Sequence, residues 1–302
     1  MQKIGIVGKK NSEEYISIIN SLGGVKLVGV FAPSFQFEPP EMLDSSLVYY
    51  SFEDLLNKVD SIIFVSDEQM CLSLIEMAIK YSKSVFLHSA QSFTIKELLL
   101  LLKIKEEANT IVQVNNPMLY DVVIEKYYLQ RDVNPIFSTY ECFNDIKSDI
   151  LYDIRLIMGV ILSFFKSNIR KTTINVFSVF SELPDIVKVK FDFDNGGVAE
   201  IMLNTIEQSK KHILNVYGYN NSIEMDFVKN EFVIQKGDND KEIYMFKEHI
   251  SDVVVLKKQL LDFFLNIRRN TNPMNDIEHE IVIQEVLEEI KEKLKINIDN
   301  IY

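Results

Sequence analysis

His88 closes a short apolar run, Ser84 to Leu87, at the point where a buried parallel strand would hand over to a loop. Open α/β sheets bind ligands at the carboxyl ends of their strands, and imidazole exchanges protons near neutral pH. His88 is therefore a candidate acid–base group, with Asp153 as a candidate partner. Each also has a plainer reading: a histidine tolerated in a partly polar crevice, and a solvated helix carboxylate. A second candidate group is Gly8-Lys9-Lys10-Asn11, a turn between an apolar run (Lys3 to Gly8) and an amphipathic helix. Tyr15, Ile18, Ile19 and Leu22 recur on one face of that helix, and Gly23-Gly24 ends it. Asn11 suits its N-cap, and Lys9 and Lys10 would draw an anion to the helix N-terminus or form a solvated turn. Strand, glycine turn and helix in this order are a candidate dinucleotide fold.

Other chemistry is poorly represented. His212, His249 and His279 lack the paired spacing of metal ligands, and no nucleophile–histidine motif is present. Cys71 and Cys142 are too few for a disulfide framework, and Cys71 reads as a buried apolar residue. Asp67 and Glu68 suit a helix start. A net charge of −12 argues against nucleic acid or anionic lipid as partner. The composition, 47% hydrophobic and 25% charged, is that of an ordinary globular protein. The apolar run after Lys3 is too short for a signal peptide, and Leu156 to Phe165 is too short to span a bilayer. The expectation is a cytoplasmic protein of two domains in 302 residues.

The elements that must position these residues change character along the chain. Strands are expected at residues 3–8, 25–31, 61–66, 84–87 and 110–114. Helices alternate with them, one opened by the capping box Thr94 to Glu97. This is the pattern of a parallel sheet covered on both faces. After Asn115-Asn116-Pro117 come helices at 118–130 and 149–165, with a strand at 137–143. From Ile169 strands follow strands. Val187, Val189, Phe191 and Phe193 alternate with polar residues, and Asn195-Gly196 makes a hairpin turn. Two helices, 250–267 and 276–294, finish the chain. The domains are placed at 1–117, a Rossmann-like dinucleotide-binding type, and at 118–302, an α+β substrate or oligomerisation type with an open antiparallel sheet.

This order resembles the Gfo/Idh/MocA family of NAD(P)-dependent sugar and cyclitol dehydrogenases. Lys3 to Gly8 matches its first strand and first fingerprint glycine, and Leu27 to Phe31 its second strand. Lys83-Ser-Val-Phe86 matches the lead-in to its Glu-Lys-Pro motif. Phe193-Asp-Asn-Gly196 and Tyr217-Gly218 resemble its later hairpins. The resemblance implies NAD or NADP as cofactor, a sugar-like ligand, and a homo-oligomer formed through the antiparallel sheet.

The diagnostic positions depart from the family. Its Gly-x-Gly-x-x-Gly reads Gly8, Lys10 and Glu13, and Glu13 and Glu14 would repel a pyrophosphate. The ribose-binding acid is Ala32. Glu-Lys-Pro falls on His88-Ser89-Ala90, so the catalytic lysine is Ser89. Thr-Pro-x-x-x-His begins at Ser66 and ends at Cys71. Asp-x-Gly-x-His reads Asp153-Ile-Arg155-Leu-Ile157, which keeps the aspartate and replaces the proton-accepting histidine. Two functions follow. One is a catalytically degenerate relative that binds a ligand or partner. The other is a working oxidoreductase of a sugar, cyclitol or nucleotide-sugar, its proton carried by His88 or Asp153. By resemblance the site residues are Gly8, Lys9, Lys10, Asn11 and Ser66 for cofactor, and His88, Ser89 and Asp153 for chemistry, with no metal ligands.

Overall fold

The computed structural model describes the chain except residues 9–11, 32–43, 66–71, 131–132, 144–149, 181–184, 238–239, 247–249 and 300–302, and without the side chains of 45 and 294–299. It divides into two compact units. The first comprises residues 1–115 and 252–284, the second 116–251 and 285–302.

The first unit is built on a six-stranded parallel sheet. Its strands are β1 (Gln2–Val7), β2 (Val25–Phe31), β3 (Val48–Tyr49), β4 (Ser61–Phe64), β5 (Ser84–Leu87) and β6 (Val112–Val114), in the order β3-β2-β1-β4-β5-β6. Helices α1 (Ser12–Ser21), α2 (Phe52–Leu56), α3 (Leu72–Lys80) and α4 (Ile95–Ala108) connect them. The strands are short and apolar because both sheet faces are covered. One face packs on Leu55, Leu56, Ile79, Leu98 and Leu101 from α2, α3 and α4. The other packs on Tyr15, Ile18 and Ile19 of α1. The expected capping box at Thr94 and Glu97 is present. Gly29 admits the return of the chain over β2, since a Cβ there would lie 2.3 Å from the Tyr49 ring.

The chain returns to this unit after the second one. Helix α7 (Asp252–Arg269) lays Leu256, Leu260, Phe263 and Phe264 on the α1 face, and Ile277 and Ile281 join the opposite face. The boundary expected at residue 118 does not include this return. Pattern alone marks α7 as amphipathic without saying which sheet receives its apolar side.

The second unit carries helices α5 (Val122–Tyr128) and α6 (Ile150–Phe165) and eight strands. These are β7 (Phe137–Phe143), β8 (Ile169–Phe177), β9 (Ile186–Phe193), β10 (Val198–Asn204), β11 (Lys211–Tyr217), β12 (Asn221–Asp226), β13 (Glu231–Lys236) and β14 (Asp240–Met245). Their order is β14-β13-β12-β11-β7-β10-β9-β8. All neighbours are antiparallel except β7 and β10, which run parallel. The sheet is therefore mixed where the sequence predicts antiparallel. The chain passes through α6 between β7 and β10, and such a crossover is what a parallel pair requires. The helix expected over 118–130 also divides. Asn116 caps a 3-10 turn, Pro117–Tyr120, and Asp121 then accepts from the Val123 N–H to start α5 afresh. Helix α8 (Ile277–Asp299) belongs to the first unit as far as Gln284 and to the second beyond it.

Phe263 is fully buried and meets Phe86 edge-on at 5.7 Å. Phe263→Ala should lower the stability of the first unit by about 3–5 kcal/mol in chemical denaturation. A smaller loss would show that α7 is not integral to that core.

Candidate functional site

The carboxyl ends of β1, β4, β5 and β6 lie along one edge of the first sheet. Val65 N–H donates to Val7 O, His88 N–H to Phe64 O and Asn115 N–H to Leu87 O, so each strand end is held by its neighbour. Strand order reverses at β1, which pairs with β2 on one side and β4 on the other. Gly8 follows β1 at φ +112°, a conformation that a side chain resists. Lys9, Lys10, Asn11 and Ser66, with Ala32, Asp67, Glu68, Cys71 and His249, lie outside the described residues. Beyond the turn, Glu13 is exposed and Glu14 half-buried in the first turn of α1.

His88 is half-buried at the end of β5. Its Nδ1 lies 2.8 Å from the Tyr15 hydroxyl, and the two rings meet edge-to-face at 6.0 Å. Tyr15 is fully buried and also meets Phe86 edge-on at 6.3 Å. Sequence reasoning used Tyr15 only as an apolar position on α1. The available signal was chemical: a buried tyrosine brings a hydroxyl that needs a partner. Ser89, half-buried beside His88, accepts a hydrogen bond from the Gln91 N–H and so shapes the loop after β5.

Asp153 and Ile157 stand one turn apart on α6 in the second unit. Asp153 is half-buried in the first turn, and Ile157 is fully buried in the core. Arg155 between them is also buried. A buried guanidinium is uncommon, and the sequence marks it only as a departure from a glycine position. His88 and Asp153 belong to different units, so neither unit by itself brings the expected pair together.

The remaining described histidines also lie against polar side chains. His212 Nε2 lies 2.8 Å from the Tyr140 hydroxyl, beside the Phe227 ring. His279 Nδ1 lies 3.2 Å from Oδ1 of Asp276, which also accepts from the Glu278 and His279 backbone N–H groups at the start of α8. Among the described residues no group of His, Cys, Asp and Glu could hold a metal ion. No helix among them is long and apolar enough to cross a membrane. The polar face of the second sheet holds a concavity of about 360 Å³, lined by Thr139, Glu141, Thr173, Lys188, Lys190 and Glu200. Lys211 pairs with Glu141 on the same face.

A parallel sheet in this strand order, followed by an eight-stranded mixed sheet, is the architecture of Gfo/Idh/MocA-type NAD-binding dehydrogenases. UDP-N-acetylglucosamine 3-dehydrogenase GnnA from Acidithiobacillus ferrooxidans superposes with a TM-score of 0.77 at 14% identity, covering 96% of each chain. A dehydrogenase from Chromobacterium violaceum gives 0.76 at 13% identity, over 100% of this chain and 99% of its own. An oxidoreductase from Agrobacterium radiobacter, in complex with NAD+, L-tartaric acid and magnesium, gives 0.75 at 11%, over 95% and 94%. At these identities the likeness is one of fold. No protein-family model and no curated protein matches the sequence.

Burial pushes the Asp276 carboxyl up, but the hydrogen bond and charge of His279, its backbone N–H and the Lys105 ammonium together bring it below 3.8. A depressed carboxyl stabilises the fold above its ordinary value and loses that contribution as pH falls through the folded value. Asp276→Asn should therefore be less stable than the parent above pH 3.8 and converge with it below that pH. Urea midpoints measured across this range check the sign, and an offset that does not narrow in acid would contradict it.

Proposed function

We propose that this chain is a catalytically degenerate relative of the Gfo/Idh/MocA-type oxidoreductases, keeping their frame to bind a sugar-like ligand or a partner protein. The observation that carries this reading is Ile157. The position matching the family's proton-accepting histidine holds a side chain that cannot take a proton and is fully packed into the core. Ser89 stands at the lysine position. Glu13, exposed in the first turn of α1, puts a carboxylate where a pyrophosphate would approach. NAD or NADP would use Gly8, Lys9, Lys10, Asn11 and Ser66, and this reading expects neither to bind well. The GnnA likeness supports a sugar or nucleotide-sugar as the ligand class. Calorimetric titration with NAD(H) and NADP(H) should give no micromolar binding, and micromolar binding of either would overturn the reading.

A second reading has a specific observation in its favour: the hydrogen bond that holds the His88 ring at the sheet edge. Here the chain is an active NAD(P)-dependent oxidoreductase, with His88 or Asp153 moving the proton. It expects turnover of a sugar, cyclitol or nucleotide-sugar with cofactor, abolished by His88→Ala. Absence of both turnover and cofactor binding would end it.

Either form would act as a homo-oligomer through the polar face of the second sheet, where Lys188, Lys190, Glu141 and Glu200 offer charges of both signs. Sedimentation should then find an assembly larger than one chain, and Lys190→Glu should weaken it at low salt. A parent that sediments as a single chain would refute this.

A further inference from the structure

We propose that the outward face of α7 is the docking surface for an acidic amphipathic helix of a partner protein. The inward face of α7 carries Leu256, Leu260, Phe263 and Phe264, which fill the α1 layer of the first sheet. Val254, Leu261 and Leu265 stand on the opposite side of the same helix, at i, i+7 and i+11. They are 44%, 40% and 40% exposed. Together with Lys258 and Arg268 they occupy positions 254, 258, 261, 265 and 268, separated alternately by four and three residues. That spacing is the seam along which one helix packs against another. A helix that served only to cover its own sheet would turn polar residues outward at these positions. Here the outward side of α7 keeps an apolar stripe after its inward side is already in the core.

Charge selects the occupant. α7 carries four basic residues, Lys257, Lys258, Arg268 and Arg269, against two acidic ones, Asp252 and Asp262, in a chain of net charge −12. Lys257 and Lys258 are three and four residues from Val254 and Leu261, and Arg268 and Arg269 three and four beyond Leu265. Neighbours at these separations share a helix face, so cations border the stripe on both sides. Arg268 also reaches Gly24 O at 3.4 Å, and Asp262 lies one turn beyond Lys258. A second copy of α7 on the stripe would set the same cations against themselves. An anionic bilayer would meet a chain of net charge −12, and α7 cannot sink into it while its inward face is held in the core. A partner helix with leucines on the seam and carboxylates beside it matches both the apolar and the charged positions. This surface gives a place to the partner protein of the reading above, and it uses none of the residues assigned there to cofactor or chemistry.

The test titrates the full chain into two labelled synthetic peptides, each as long as α7 at 18 residues. Both carry leucine at the same alternating spacing; one has glutamate at the flanking positions and the other lysine. Fluorescence anisotropy should give micromolar binding of the glutamate peptide, with the lysine peptide about tenfold weaker or more. Leu261→Glu and Arg269→Glu change exposed positions, so both variants should keep the parent's urea midpoint while each loses about tenfold in affinity for the glutamate peptide. Equal binding of the two peptides, or binding of the glutamate peptide that survives both substitutions, would overturn the proposal. So would another occupant: vesicles of phosphatidylserine and phosphatidylcholine, or a second copy of the chain, bound in a way that Leu261→Glu abolishes while the glutamate peptide is ignored. Selective peptide binding supports the surface whether or not NAD(H) binds, so failure of the degenerate reading and failure of this one are told apart.

Discussion

A parallel sheet must be buried on both faces, because its crossover helices lie on them and its strands are apolar throughout. In this protein that requirement is met from two distant parts of the chain. Among the described residues, the connections within residues 1–115 supply α2, α3 and α4 on one side but only α1 on the other. Helix α7 completes the thinner layer through Leu256, Leu260, Phe263 and Phe264. Ile4, Ile6, Ile63 and Phe86 lie between these helices and their own neighbours in the sheet. The first unit is thus closed by residues that come after the whole second sheet in sequence.

The same layer governs the chemistry at the sheet edge. Tyr15 stands on the buried face of α1 because its ring fills that layer, and burial obliges its hydroxyl to find a polar partner. The end of β5 is where a polar side chain can reach it, and His88 occupies that place. A packing constraint thereby becomes a constraint on a titratable group. In the second unit Tyr140 and His212 repeat the arrangement on neighbouring strands β7 and β11. There it ties two strands of one sheet together, whereas Tyr15 and His88 tie a helix to a strand end.

The fold was largely legible in advance. Strands β5 and β7 begin and end at the residues expected from the sequence, and the Thr94–Glu97 capping box opens α4. Buried strands and capped helices are local patterns, so a linear reading finds them. The mixed sheet was less legible, because pairing direction depends on how the chain crosses between strands and not on which residues alternate. The break at Asp121 was missed because a single carboxylate, by accepting from the Val123 N–H, outweighed a continuous apolar period. Of the candidate site, the residue types set against the family's motifs could be read directly: Glu13, Ser89 and Ile157 are what they are in any structure.

The sequence by itself determined the two-sheet class, the resemblance to the Gfo/Idh/MocA dehydrogenases, and which residue types stand at that family's diagnostic positions. These follow from residue type, period and spacing along one chain. Tertiary structure alone decided that α7 belongs to the first unit, that β7 and β10 run parallel, and that Tyr15 engages His88, 73 positions further along the chain. The reason is common to all three. Each is a contact between segments far apart in sequence, selected by which surfaces remain to be covered once the local elements have formed.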